Sequence, residues 1–324
     1  MPLTFFYMRK RKIKVGVVGI GHLGNYHLQK YQKLENCEIV AVSDTIAEKA
    51  GKAADVYKCA AFEDFRGMIG KVDAVSIAVP TSDHFEVVRD FLAAGVDVLI
   101  EKPICTTLEE VDELIALARA KKLVLQVGFV ERFNPAIMAL GKVVQKPLFI
   151  ESHRLHPFFE RGIDVDVILD LMIHDLDIIQ EFVNSPVVAV EAVGVPILSD
   201  RIDIANARIA FATGCTANIT ASRISAKTMQ KIRFFSPEGY HSVDCQKREI
   251  LSLGKIKNET GQTQIVQNNV EVESHDPLEE EIRSFVACVI NRSKPLIAGE
   301  DARKSLALAV DILKKMKEAE DKIK

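Results

Sequence analysis

Two domains of different class are predicted from the sequence. The first is an α/β domain over residues 1–130 with a parallel sheet; the second is an α+β domain over residues 131–324 with an open, mainly antiparallel sheet. Three observations predict this. The chain of 324 residues is long enough for two cores. Its first 130 or so residues alternate short Val/Ile/Leu runs with helical patterns, the texture of strands buried on both faces. Past residue 145, strand-like runs follow one another without a helix between each pair.

In order, "IKVGVVG", "EIVAVSD", "DAVSIAVP", "VDVLIEKP" and "LVLQVGF" read as the strands of the first sheet. "TTLEEVDELIALARAKK" reads as a helix, with Thr106 three residues before Glu109 in capping-box spacing. In the second domain "PLFIESHRL", "VVAVEAVGVPI", "NARIAFATGCTANITAS" and "KIRFFSP" read as strands separated by turn residues. "HDPLEEEIRSFVACVIN" opens a helix with Asp276 as N-cap, Pro277 at N1 and Glu279 at N3. The amphipathic helix 301–322 closes the chain and is a candidate to pack back on the first domain.

Composition narrows the class. Apolar residues make up 48% of the chain, and a formal charge of -3 does not suit a broad nucleic-acid-binding surface. The basic run "RKRK" at 9–12 reads as a solvated tail. The six cysteines are scattered with no CxxC pair, which fits free thiols in a reducing compartment. "MPLTFFYM" is too short for a secretory apolar segment, and no run approaches the roughly 20 apolar residues of a membrane span. The expectation is a soluble, cytoplasmic protein with neither nucleic acid nor membrane as partner.

In "KVGVVGIGHLGNYHLQKY", Gly19, Gly21 and Gly24 stand in G-x-G-x-x-G spacing, after a strand and opening a helix. The first glycine permits the tight turn, the second lets the backbone approach a pyrophosphate, and the third allows close helix–strand packing. The helix N-terminus, with His22 and Leu23, supplies N–H donors to the phosphates. Asp44 ends the second strand 20 residues beyond Gly24, where a carboxylate can accept from an adenosine ribose. That carboxylate would repel a 2′-phosphate and no arginine adjoins it, although Lys49 is not far off. The pattern therefore predicts a Rossmann domain and favours NAD over NADP. Pro80, Thr81 and His84 follow the third strand, and Glu101 and Lys102 end the fourth. Cofactor ligands collect at that carboxyl edge.

"ILDLMIHDLDIIQ" at 168–180 is apolar nearly all round, yet carries a histidine and three aspartates. At about 100° per residue, Asp170, His174 and Asp177 fall on one stripe, while Asp175 falls on another face and is given no role in a pocket. Buried carboxylates are costly unless paired, ligated or hydrogen-bonded. For Asp177 a structural partner is the favoured reading. No second ligand cluster is apparent, so no metal is expected. A histidine has the intrinsic pKa of a general base near neutrality.

"EKP" at 101–103, "VPTSDH" at 79–84 and the Asp170/His174 pair together resemble the glucose–fructose oxidoreductase/inositol dehydrogenase (Gfo/Idh/MocA) family, over essentially the whole chain. The resemblance implies a Rossmann domain followed by an open-sheet domain and NAD-dependent oxidation of a secondary alcohol. Lys102, Asp170 and His174 would be the catalytic set, and the resemblance implies that the Lys102–Pro103 bond is cis. "VERFNPA", "DVDVILDLMIHDLDII", "DIANARIAF" and "NITASRIS" resemble a bacterial subgroup that includes UDP-N-acetylglucosamine 3-dehydrogenases, which begin the conversion of that sugar to its 3-amino form for lipid A. Either Lys102 or His174 could take the proton, with His174 the favoured base and Asp170 orienting it or binding an adjacent hydroxyl. Arg132, Asn134 and Arg154 are candidate substrate ligands, since two arginines suit a diphosphate. Arg223 is open between sheet-surface charge and diphosphate ligand. The expected partner is a sugar or nucleotide sugar. The alternatives are a free sugar, inositol or sugar acid, or, in another class, a non-catalytic NAD sensor. An open sheet has a face to cover, which predicts a homodimer or homotetramer through the second domain.

Overall fold

The computed structural model describes residues 12–159 and 165–321. Most of the basic run at 9–12 therefore lies outside the described residues. The first unit alternates β1 (Ile13–Val18), α1 (His22–Gln32), β2 (Cys37–Ser43), α2 (Ala47–Tyr57), β3 (Ala60–Phe62), β4 (Ala74–Ile77), α3 (Thr81–Ala93), β5 (Asp97–Glu101), α4 (Leu108–Lys121) and β6 (Leu125–Gly128). The six strands form one parallel sheet in the order β3-β2-β1-β4-β5-β6. The chain winds outward from β1 in both directions, so a crevice opens between β1 and β4 at their carboxyl ends. Central strands are buried on both faces, as at Val15, Val17, Ala74, Ile77, Leu99 and Ile100. The five strands read from the sequence are all present, and the edge strand β3 is an addition to them.

The capping box of α4 sits one residue later than the spacing at Thr106 indicated. Thr107 is the N-cap and Glu110 the N3 residue. The Glu110 carboxylate accepts from the backbone N–H groups of both Thr106 and Thr107 and from the Thr106 hydroxyl, so the earlier threonine still joins the cap. Two adjacent threonines and two adjacent glutamates offer two registers. The helix takes the one that places Leu108 at its first turn and buries Val111, Leu114 and Ala118.

The second unit carries a short helix α5 (Pro135–Leu140), strand β7 (Phe149–Leu155), helix α6 (Ile173–Val183) and seven further strands. These are β8 (Val187–Val195), β9 (Ile204–Phe211), β10 (Thr216–Ser222), β11 (Met229–Ser236), β12 (Gly239–Asp244), β13 (Glu249–Lys257) and β14 (Thr263–Asn268). Their order is β14-β13-β12-β11-β7-β10-β9-β8, and every neighbouring pair is antiparallel except β7 with β10. Alternate residues of β9 and β10 (Ala205, Ala207, Ile209, Ala217, Ile219 and Ala221) face the core, where Leu176, Ile178 and Ile179 of α6 cover them. The small alanines let the helix lie close to the sheet. The other face carries polar cross-strand bonds at its centre, Asn206 to Thr220 and Arg208 to Asn218.

Two helices close the chain, α7 (Pro277–Asn291) and α8 (Gly299–Asp321). Their placement corrects the suggestion that the last helix returns to the first domain. Among the described residues, those up to 128 together with 278–299 form one compact unit, and those of 129–277 together with those from 300 onward form the other. It is α7 that returns, burying Ile282, Phe285, Val286 and Val289 in the core that holds Val15, Val17, Leu28 and Leu99. The segment after it adds an antiparallel bridge, Gln126 to Ala298, at the edge of β6. Helix α8 instead places Leu308, Ala309, Ile312 and Met316 in the core of the second unit. An amphipathic pattern fixes which face of a helix is buried, not which core receives it. The six cysteines are free thiols, all but Cys59 buried. Among the described residues, no helix is long and apolar enough to cross a membrane.

Candidate active site

In the first unit the glycine turn is built by close backbone approach. Gly19 has φ +87°, a left-handed conformation, and a Cβ there would lie 2.6 Å from the Ala78 carbonyl oxygen. A Cβ on Gly24 would lie 1.9 Å from the Gly19 carbonyl oxygen, so α1 touches the turn without a side chain between them. Gly21, the N-cap of α1, has nothing within 4 Å of where its Cβ would be. Two glycines are thus demanded by the protein itself, and the third leaves space at a helix N-terminus, which fits a bound pyrophosphate.

Asp44 follows β2 and is held in place. Its Oδ2 accepts from the Ile20 N–H at 2.7 Å and its Oδ1 from the Ile46 N–H at 2.9 Å, which ties the glycine turn to the start of α2. Each oxygen keeps a further lone pair, enough to accept from two ribose hydroxyls. A cleft of about 690 Å³ opens here, and Gly19, Gly21, Asp44 and Pro80 of the predicted cofactor set line it. His22 is exposed and packs edge-on against Tyr26, Leu23 is exposed, and Thr81 is half-buried as the first residue of α3.

The cleft also holds residues that sequence spacing did not point to. Glu63, Phe65 and Arg66 line it from a turn beyond β3, beside Lys49 of α2, which the sequence already places near Asp44. The Arg66 guanidinium lies 4.5 Å from the Phe65 ring centroid and bonds Glu86 at 2.5 Å and Asp90 at 2.9 Å. No motif announces them, because β3 is short and exposed and was not read as a strand.

His84 and Glu101 do not line the cleft and are buried. His84 Nδ1 lies 2.8 Å from the Pro103 carbonyl oxygen and Nε2 3.0 Å from that of Val79, so the ring joins the β4–α3 turn to the EKP loop. Burial pushes this imidazole down from its ordinary value, against the pull of the two carbonyls. Glu101 accepts from His27 Nε2 at 3.0 Å. Lys102 is half-buried, and its bond to Pro103 is cis.

In the second unit the Asp/His helix departs from regular geometry. Residues Ile168–Met172 form a π-helical turn, marked by the Ile173 N–H donating to the Ile168 carbonyl, and α6 continues from it. Such single wide turns recur at functional sites. They also break the regular rotation on which the single stripe of Asp170, His174 and Asp177 was based. The four polar residues separate by burial: Asp170 and His174 are half-buried, Asp175 and Asp177 buried. The His174 ring meets Phe129 edge-on, with 6.0 Å between centroids.

Asp175 and Asp177 are held by the two arginines read as diphosphate ligands. Arg154 forms a fork with Asp175 (Nε to Oδ2 3.1 Å, Nη2 to Oδ1 3.0 Å) and also reaches Glu131 at 3.0 Å. Burial pushes the Asp175 carboxyl up, and the Arg154 fork pulls it back. Arg132 bonds Asp177 at 3.3 Å and Glu181 at 3.1 Å, and Ser305 adds a bond to Asp177 at 3.4 Å. Burial pushes Asp177 up to about 6 against the pull of Arg132. Both guanidiniums are thus buried and committed to carboxylates of α6, so their observed place is structural. Asn134 caps α5, accepting from the Ala136 N–H and donating to Glu131 and to the Cys245 carbonyl. Arg223, left open by the sequence, is buried against Asp203 at 2.8 Å and the Val165 carbonyl at 2.8 Å.

A parallel sheet in this order, with a glycine turn and an acid at the end of β2, defines a dinucleotide-binding domain, here followed along the chain by an open-sheet domain whose apolar helix carries a histidine and aspartates. Comparison with known proteins agrees. Residues 13–129 match the model of an oxidoreductase family with an NAD-binding Rossmann fold, and residues 139–241 match the Gfo/Idh/MocA C-terminal domain. The chain is 36% identical over 305 residues to the UDP-N-acetylglucosamine 3-dehydrogenase of Acidithiobacillus ferrooxidans, covering 93% of this chain and 96% of that one. A solved structure of that enzyme superposes with a TM-score of 0.87 over 94% of this chain and 98% of the other, at 35% identity. A myo-inositol 2-dehydrogenase of Thermotoga maritima is 24% identical, covering 94% of this chain and 97% of that one. The chain belongs to the Gfo/Idh/MocA oxidoreductase family and is a dehydrogenase of CH–OH groups.

Proposed function

We propose that this protein oxidises a secondary hydroxyl of a nucleotide sugar with NAD, the substrate being UDP-N-acetylglucosamine and the position C3. The observation that carries the reading is near-full-length similarity to an enzyme of that name, with EKP and D-x-x-x-H both present. The glycine turn and the N-terminus of α1 would hold the pyrophosphate, and Asp44 the adenosine ribose. When bound, the nicotinamide supplies the hydride acceptor.

The chain's own task is the proton and the orientation of the sugar. His174 is the base we favour for the hydroxyl proton, with Lys102 donating a hydrogen bond to the same oxygen and so easing loss of that proton. Asp170 orients the imidazole or accepts from a neighbouring hydroxyl. The packing of the His174 ring against Phe129 restricts its rotamers, which favours one presentation of the base. NAD is favoured over NADP because Asp44 and Glu63 would oppose a 2′-phosphate, while Arg66, which lines the same cleft with Lys49, is already held by Glu86 and Asp90. The free face of the second sheet, with Val188 and Val193 well exposed, supports a homo-oligomer that covers it. A 3-keto sugar product would suit a following aminotransfer, in keeping with a route to a 3-amino sugar for lipid A. In assembly as in chemistry, the cytoplasm is the compartment we assign, where NAD and nucleotide sugars meet.

The test is NAD reduction by the purified protein with UDP-N-acetylglucosamine, in the presence of a carbonyl trap. Turnover that needs the UDP group and is lost in Lys102→Ala supports the reading. Turnover with inositol or free N-acetylglucosamine alone would discard the nucleotide sugar and keep the family.

A further inference from the structure

Helix α7 buries a carboxyl that none of the chemistry above uses. Glu281 is fully buried beside Ile282, Phe285 and Val286, and among the described residues neither of its carboxyl oxygens has a hydrogen-bond partner. Its backbone carbonyl accepts from Gln126 Nε2 at 3.1 Å, and the Oε1 of that buried glutamine also lacks a partner. A second carboxyl lies within electrostatic reach, that of Glu101, which ends β5 next to Lys102. Glu101 is 9% exposed and accepts from His27 Nε2 at 3.0 Å. His27 belongs to α1, the helix that opens at the glycine turn. Gly128 of β6 makes room for this arrangement: a Cβ there would lie 2.9 Å from Glu101 Oε1 and 3.0 Å from Oε2.

Two buried carboxyls that feel each other do not both ionise. Glu101 has an N–H donor and a margin of solvent to stabilise a charge, and Glu281 has neither. We propose that Glu101 and Glu281 form a buried carboxyl pair carrying one negative charge, with the charge on Glu101 and the proton on Glu281. Glu281 is then a positioning residue. By staying neutral it leaves Glu101 clamped to His27, and so holds the strand that delivers Lys102 against the helix that opens at the glycine turn. Burial, and then the Glu101 charge, push Glu281 well above the usual carboxylate range. The titratable groups within electrostatic reach of the pair are His27 and Tyr31 of α1 and His84 of α3. Burial pushes the Tyr31 hydroxyl up, and its bond to Ser76 pulls it back. The pairing stands apart from the proposed function; only what it positions rests on that reading.

The sign of the linkage makes the pair testable without substrate. An acid whose pKa is raised in the folded state favours folding at low pH, and that contribution is lost as pH rises from the unfolded value, about 4.3, toward the folded one. Glu281→Gln removes this loss. The folding constant of the variant relative to the wild type, from urea unfolding of the full chain followed by circular dichroism, should rise with pH above about 4.3, by about tenfold per unit, until the pH passes the raised folded-state value. In a Glu101→Gln background the rise should level off at a lower pH, because the repelling charge is gone. A ratio that does not change with pH would overturn the neutral Glu281, and identical profiles in both backgrounds would overturn the pairing. For the positioning role, Gly128→Ala displaces the Glu101 carboxylate without altering any charge and should weaken NAD binding several-fold. Unchanged affinity in that variant would overturn the role. A wild-type protein that binds no dinucleotide would refute the cofactor reading and the positioning role with it, while the pH profiles would still decide the pair.

Discussion

Two substitutions in one turn should fail in opposite ways. Gly24→Ala places a methyl group 1.9 Å from the Gly19 carbonyl oxygen, and backbone stands on both sides of the contact. Neither can swing away as a side chain would, so α1 must lift from the turn. Overpacking of this kind costs about 1–3 kcal/mol, and the better helix propensity of alanine returns at most about 1 kcal/mol. Taking the upper range because the clash is between backbones, the net loss is about 2 kcal/mol, a fall of roughly 4–8 °C in Tm for a unit of this size. Gly21→Ser meets nothing within 4 Å, its φ of −79° suits any residue, and serine is a slightly better N-cap than glycine. Its Tm should hold or rise. The serine side chain would occupy the space that a pyrophosphate needs, so the Kd for NAD should rise at least tenfold, about 1.4 kcal/mol. Thermal melting and NAD titration of both variants check this. A stable Gly24→Ala would refute the packing argument, and normal NAD binding by Gly21→Ser would refute the assignment of the open space to the cofactor.

Asp44→Ala should cost about 2 kcal/mol in chemical denaturation, because the Ile20 and Ile46 N–H groups lose a charged acceptor. The same variant should weaken NAD binding more than tenfold and move the NADP-to-NAD affinity ratio toward NADP. Asp177, pushed up to about 6 by burial, binds more protons in the folded state than in the unfolded one between about pH 4 and 6. Its contribution to stability is therefore greatest at the acid end of that window and is lost as pH rises through it. Asp177→Asn removes the dependence, so its stability relative to the wild type should improve by about 3 kcal/mol from pH 4 to 6 and stay level above. Urea unfolding across that range would show it; a flat difference would mean that Asp177 is ionised throughout.

The first sheet was legible because its central strands are buried on both faces and read as unbroken apolar runs. Not every edge strand carries such a signal. Strand β3 is three residues long and mostly exposed, and β14 leaves Ile265 77% exposed, so their pairing shows only once neighbours are in place. The glycine turn and Asp44 were legible because each position answers to local geometry. The arginines were read by chemistry alone, as diphosphate ligands. Strand alternation held a further clue: Arg154 shares the buried face of β7 with Ile150 and Ser152, and a guanidinium there needs a buried carboxylate. Asp175 is that carboxylate, and the sequence reading had set it aside. The π turn at Ile168–Met172 has no sequence signature, so the rotation between Asp170 and Asp177 could not be taken from counting residues.

The central claim, oxidation at C3 of a UDP-linked amino sugar, is tested most directly by following the hydrogen itself. UDP-N-acetylglucosamine deuterated at C3 would be incubated with the protein, NAD and a carbonyl trap, and the reduced cofactor examined by mass spectrometry. The account expects the deuterium in the reduced cofactor from the C3-labelled sugar and none from sugar labelled at C2 or C4. Reduced cofactor without deuterium from the C3-labelled sugar would contradict it.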